Sequence, residues 1–168
     1  MASYIERSLG AGERVVARAH FPWTYGLRAW LRLLLPLGLF LLVLARGKAD
    51  PGSFSANPWL WIALGALTLV GFVMFLLMMI YRATTEIGVT SHRFVEKSGV
   101  FSLRSNEIAL HNIEGVRVNQ SVIGRMLGYG TVRIEGTGVD AVTTPPIADP
   151  VGFVKAIQTA RDVEGRPA

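Results

Sequence analysis

The sequence predicts a membrane α-helical hairpin followed by a mainly-β domain, whose short antiparallel strands curl on themselves and end in a C-terminal helix. Three observations predict it. Trp59 to Tyr81 is a run of 23 residues without a charged side chain. A shorter apolar run, Leu33 to Ala45, precedes it. From Thr84 onward the apolar residues recur with a period of two, the spacing of strands with one face buried.

The Trp59–Tyr81 run is long enough to cross a bilayer: at ~1.5 Å of rise per residue it reaches roughly 34 Å, against a hydrocarbon core of ~30 Å. Trp59, Trp61 and Tyr81 stand where interfacial aromatics belong, and Arg82 marks the water beyond. The first run holds only 13 uncharged residues. It reaches a workable length if it extends back to Leu27 while Arg28 and Arg32 snorkel to the headgroups. Pro36 would bend it, which a membrane helix tolerates. A re-entrant segment and a signal peptide cut after Gly47-Lys48-Ala49 are the alternatives. The second would need an n-region of over 30 residues carrying Glu6 and Glu13. Two spans are therefore expected, at about 27–45 and 59–81.

Orientation follows from the flanking charges. Arg14, Arg18, Arg28 and Arg32 precede or open the first span, and Arg82 and Arg93 follow the second. The loop 46–58 carries Arg46, Lys48 and Asp50. Positive-inside bias places both termini in the cytoplasm and this loop outside, at the cytoplasmic (inner) membrane. The expected organisation is a cytoplasmic or interfacial arm over 1–26, the hairpin over 27–81, a domain over 82–161 and a tail over 162–168.

The net charge of +5 is unevenly placed. Residues 1–32 hold five Arg against two Glu, and residues 82–168 hold ten Lys/Arg against nine Asp/Glu. The positive excess lies beside the membrane, and no basic stripe is interleaved with aromatics, so nucleic acid is not an expected partner. Cysteine is absent, which excludes disulfides, thiol chemistry and Cys-based metal sites.

Within the domain, Ile87 and Val89, Phe101 and Leu103, Ile108 and Leu110, Val116 and Val118, and Val132 and Ile134 each alternate with small or polar residues. Turn residues punctuate them at Lys97-Ser98-Gly99, Tyr129-Gly130 and Gly136-Thr137-Gly138. No helix long enough for a parallel crossover separates these strands, so the sheet is antiparallel. Ser121 is placed to cap a short helix, Val122 to Leu127, that Gly128 would end. Asp149 and Pro150 open a second helix whose face is Phe153, Val154, Ile157 and Ala160.

The stretches Ile113-Glu114-Gly115-Val116-Arg117-Val118-Asn119-Gln120-Ser121 and Arg125-Met126-Leu127-Gly128-Tyr129-Gly130-Thr131-Val132-Arg133-Ile134 resemble the signature of bacterial membrane-anchored PH-like domains. Thr90-Ser91-His92-Arg93, followed by Gly99-Val100-Phe101, is similar to that family's first hairpin. The resemblance covers roughly Thr84 to Ala160. It implies a PH-like antiparallel barrel capped by the C-terminal helix.

Catalytic signatures are missing from the sequence. His20, His92 and His111 lack metal-ligand spacing, and no Gly-x-Ser-x-Gly, Walker loop or His-Glu-x-x-His occurs. Gly136-Thr137-Gly138 with Ala141 imitates a dinucleotide fingerprint, but Pro145-Pro146 forbids the helix that must follow. Glu86, Glu96, Glu107 and Glu135 read as solvated strand positions. Gln120, Ser121, Arg125, Leu127, Gly128 and Gly130 read as fold-building motif residues, and Arg28, Arg32, Arg82, Arg93 and Lys97 as candidates to face lipid. The expectation is a non-enzymatic, membrane-tethered interaction or scaffold module without a cofactor or metal. Its partners would be membrane lipids as solvent and a membrane or cytoplasmic protein. Self-association through Gly65, Gly71, Ala63 and Ala66 is a further expectation. The alternatives are an anionic-headgroup binder and an accessory subunit of a membrane enzyme or transporter.

Overall fold

The structure is a computed structural model, and residues 4–49, 57–99 and 104–164 are described. Their elements in chain order are α1 (Tyr4–Arg7), β1 (Val15–Ala19), α2 (Trp23–Ala49), α3 (Pro58–Thr84), β2 (Glu86–Thr90), β3 (Arg93–Ser98) and β4 (Arg104–Ala109). A 3-10 turn, Leu110–Asn112, then leads to β5 (Ile113–Asn119), α4 (Val122–Met126), β6 (Tyr129–Gly136), β7 (Val139–Thr143), β8 (Ile147–Ala148) and α5 (Pro150–Glu164). Two compact units result: Thr24–Ile80, and the segments on either side of it, up to Trp23 and from Tyr81.

The helical unit is an antiparallel hairpin. Trp30 meets Phe75 with ring centroids 4.8 Å apart, and near the other end Phe40 meets Trp61 edge-on at 5.8 Å. Between them lies a contact made by two residue types with opposite defects. Pro36 has no N–H, so the Arg32 carbonyl one turn earlier lacks its helical donor. Gly71 packs against that carbonyl, and a Cβ there would collide with it and come within 2.9 Å of Pro36 Cγ. Gly71 is thus occupied inside the hairpin, whereas nothing lies within 4 Å of the Cβ position of Gly65. Both helices are long and apolar enough to cross a membrane. Leu35, Trp59 and Leu69 are 67%, 74% and 62% exposed.

In the other unit, one antiparallel sheet has the order β1-β2-β3-β4, and a second has β5-β6-β7 with β8 paired to β6. Ile87, Val89, Phe94 and Ile108 line the inner face of the first sheet, and Val132 and Ile134 come from the second. The apolar stripe of α5 inserts Phe153, Ile157 and Ala160 among them, with Phe153 edge-on to Phe94 at 6.4 Å.

The expected barrel is corrected to two open sheets. Just past the end of β1, the His20 carbonyl accepts the Ala148 N–H of β8 at 2.8 Å, and no β1–β8 ladder forms among the described residues. Pro22 follows β1, and Pro145-Pro146 precede β8. Three residues without an N–H at this seam deny a ladder the donors it needs to continue.

Part of the 1–26 segment joins the first sheet. Val15–Ala19 is an edge strand, with Val15 opposite Thr90 and Ala19 opposite Ile87. On the outer face of the sheet, α1 lays Ile5, 1% exposed, into the space left by the missing side chain of Gly88. Gly88 stands opposite Val95, which is fully buried. Glu86 holds α1 there by accepting the N–H groups of Tyr4 at 3.2 Å and Ile5 at 3.3 Å. The Phe101–Leu103 alternation and most of the loop 46–58 lie outside the described residues, and α5 runs on to Glu164.

Because Ile5 fills a slot with no alternative side chain, Ile5→Ala is expected to cost about 2–5 kcal/mol of local stability. Amide hydrogen exchange at Gly88 and Val95 reads this directly. Unchanged protection at both would mean that α1 does not cover the sheet.

Candidate functional site

The motif residues converge on the α4 loop. Ser121 is extended (φ −68°, ψ 167°), and its hydroxyl accepts the Gly124 N–H at 3.0 Å, which caps α4. Gln120 Nε2 donates to the Tyr129 carbonyl at 3.1 Å and ties the loop's entry to its exit. Gly128 turns the chain with φ +68°, a conformation in which a Cβ is strained. Gly130 permits close approach, since a Cβ there would sit 2.5 Å from Gln120 Cγ and 2.8 Å from the Asn119 carbonyl oxygen. Gln120, Ser121, Gly128 and Gly130 therefore build the loop. Arg125 and Leu127 do not share that work, because both point into solvent.

Two of the residues grouped as lipid-facing, Arg93 and Lys97, are engaged within the domain. Arg93 is the hub of a polar network at the β2–β3 hairpin. It grips Glu13 with two parallel bonds of 2.9 Å, from Nε and Nη2, and Nη1 meets Glu107 at 2.6 Å. Nη2 also donates to the Ser8 carbonyl. Such a forked, charge-assisted pair fixes geometry as well as charge. Thr90 adds its hydroxyl to Glu13 at 2.6 Å. Lys97 lies over the Tyr4 ring, 5.4 Å from its centroid. Arg93 and Lys97 thus pin residues 4–13 to the sheet. Arg28, Arg32 and Arg82 are exposed, with Arg32 Nη1 against Met78 Sδ at 2.6 Å.

Glu96 departs from its expected solvated position. It lies opposite Ile87 and Asn106 on the inner face, two residues from Phe94, and is 8% exposed. Burial raises its pKa, opposed by a long hydrogen bond of 3.4 Å from Asn106 Nδ2. Glu86 caps α1, Glu107 joins Arg93, and Glu135 meets Arg133 at 3.1 Å and Arg117 at 3.5 Å. A cleft of about 750 Å³ beside Glu96 is lined by residues of β4 and β7, among them Asn106, Asp140 and Thr143. A second, of about 440 Å³, lies between His111 and the end of α5 at Arg161 and Glu164. No group of three His, Asp or Glu residues among those described could hold a metal ion.

Sequence reasoning missed two features. The ion pair of Glu13 with Arg93 spans 80 residues, beyond any local pattern. The inward aim of Glu96 was legible from its parity with Phe94, but a glutamate in a strand was read as solvated by residue type.

A family model for the bacterial PH domain matches residues 32–159, well over half of the chain. No curated protein and no solved structure matches it.

The Glu13 carboxyl carries the pH dependence of this hub. Burial pushes its pKa up, but the bonds from Arg93, Thr90 and the Gly10 N–H outweigh this and lower it from 4.5 to about 2. A depressed carboxyl pKa contributes stability that is fully present above pH 4.5 and is lost as the pH falls toward 2. Residues 4–13 are therefore expected to loosen from the sheet across that window. In Glu13→Gln the amide protection of β2 should already be reduced at pH 7 and should change little on acidification. A wild-type acid profile that matches the variant's would remove Glu13 from this role.

Proposed function

The chain belongs to the bacterial PH domain family, and on that premise we propose that it is a membrane-tethered, non-enzymatic interaction module. In this reading α2 and α3 cross the bilayer as a pair and hold the domain on the cytoplasmic side. The observation that carries it is the pairing of β1 with β2. The chain leaves the sheet at Ala19, runs through two long apolar helices, and returns to the neighbouring strand at Glu86. A segment that starts and ends in one folded sheet must return to the side it left. Two crossings satisfy that condition, and one does not. This favours a full first span over a re-entrant segment, despite the shortness of its uncharged core.

The exposed leucines of both helices suit a hydrocarbon solvent, and Trp23, Trp59 and Tyr81 stand at the helix ends where interfacial aromatics are favoured. Domains of this family are generally non-catalytic. Tethering raises a binding domain's effective concentration toward membrane partners without any new contact. The headgroup reading is weakened because Arg93 and Lys97 are engaged within the domain. Surface attraction of roughly 1 kcal/mol per basic residue needs a cluster. The transport reading lacks support within α3, where Thr68 donates its hydroxyl to the Leu64 carbonyl of its own helix at 2.8 Å.

A reporter fused after Ala168 should behave as cytoplasmic and one inserted at Ser53–Ser55 as external. An external C-terminus would overturn both the orientation and the tether. Photocrosslinking from the domain in intact membranes should then give a discrete protein adduct, while adducts to lipid alone would favour the headgroup reading.

A further inference from the structure

Among the described residues, the two most exposed large apolar side chains of the domain, Val122 and Met126, both stand on the α4 turn. Val122, Ile123 and Met126 are 77%, 61% and 80% exposed, and Leu127 is 39% exposed. This is not a frayed segment: the Ser121 cap, the Gln120 tie and the Gly128 turn hold it in one conformation. A folded domain that fixes four large apolar side chains in water is presenting them to something.

The hydrogen bonds of the domain show which end they occupy. Gly128 accepts the Asp149 N–H at 2.9 Å, and the Ala148 N–H donates to the His20 carbonyl at 2.8 Å. Two bonds therefore connect the α4 turn to the residue that precedes Phe21. Phe21 packs edge-on against Tyr81 at 5.9 Å. The turn thus lies at the end of the domain where the chain departs for α2 and returns from α3. The opposite end holds the Leu110–Asn112 turn, where His92 O accepts the Leu110 N–H and Asn112 O accepts the Thr137 N–H, both at 2.9 Å.

Charge narrows the occupant. Residues 115–134 contain Arg117, Arg125 and Arg133 and no acidic residue. Arg117 and Arg133 both meet Glu135, which leaves Arg125 as the cation beside the apolar side chains. Asp149 is the adjacent acid, and its carboxylate accepts the Gly152 N–H at 3.0 Å. Apolar side chains flanked by an arginine match the boundary between acyl chains and phosphate headgroups.

We propose that the α4 turn is a shallow membrane contact, in which Val122, Ile123, Met126 and Leu127 enter the bilayer interface and Arg125 stays at headgroup level. The proposal rests on the anchoring by α2 and α3 described above. The contact gives the domain a second point of attachment and fixes which face it turns toward the cytoplasm. Three side chains on a five-residue helix and one at its C-cap are too few to bind a membrane alone, so the contact orients a domain that is already tethered.

The chain has no cysteine, so single labelling sites are clean. Met126→Cys, Asn112→Cys and Leu69→Cys are each labelled with the fluorophore NBD in the full chain. Each is reconstituted into vesicles of phosphatidylcholine and phosphatidylglycerol, with or without doxyl-labelled lipid. The expected result is a blue-shifted Met126 label that loses most of its emission to shallow doxyl lipid. The Asn112 label should stay water-like and unquenched, and the Leu69 label should be quenched by deep doxyl lipid. A quenched Leu69 label with a Met126 label that behaves like Asn112 would overturn this contact and leave the anchoring standing. An unquenched Leu69 label would overturn the anchoring, and this contact with it. A blue-shifted Met126 label that doxyl lipid does not quench would mean that a protein or a second copy of the chain covers the turn, which also overturns the proposal.

Discussion

Pairing of Val15–Ala19 with Glu86–Thr90 is the constraint on which the other features depend. It makes the helical hairpin an excursion from one sheet and brings the two helix roots together at Phe21 and Tyr81. It also delivers residues 4–13 to the outer face of β2 and β3, where Ile5 meets Gly88 and Glu13 meets Arg93. Hydrogen bonds alone would hold a five-residue edge strand poorly. Apolar packing before it and a charged clamp beside it make the strand a lasting part of the sheet.

The clamp shows how position alters the meaning of a charge. Arg93 reads as a lipid ligand from its proximity to a span. In the fold it sits between Glu13 and Glu107, whose side chains are 5% and 32% exposed. Removing one partner of such a shielded pair costs more than the pair itself contributes, because the other charge is left poorly solvated. The hub is therefore better understood as a lock on the N-terminal segment than as a surface for ligands. Glu96 is the opposite case, a carboxyl group turned inward whose hydrogen-bond partner among the described residues is the Asn106 amide.

Much of the architecture was legible in the residues, for identifiable reasons. Long uncharged runs mark α2 and α3, alternation marks β2 and β5, and Asp149-Pro150 marks the start of α5. What was not legible depends on distant partners. Val15–Ala19 is short, ends in Arg18-Ala19, and gains its strand character from a partner beyond the helical hairpin. The open seam between the sheets was readable in Pro22 and Pro145-Pro146, once a barrel had been expected to close there. In the motif, glycines and capping residues announced a scaffold. The exposure of Val122, Ile123 and Met126 depends on what the rest of the fold leaves uncovered, which no local pattern records.

The separation of β1 from β2 also bears on the order of assembly. A hairpin closed over residues 20–85 as flexible chain would carry a closure penalty that grows by ~0.6 kcal/mol for each doubling of loop length. Two antiparallel helices packed at Gly71 and Pro36 reduce that penalty, because a formed hairpin has far fewer conformations to lose than a flexible loop of the same length. During synthesis β1 emerges first and waits, unpaired, until the second helix and then β2 have been made. The helical hairpin thus acts as an internal template, and its packing shortens the effective loop that β1 and β2 must close.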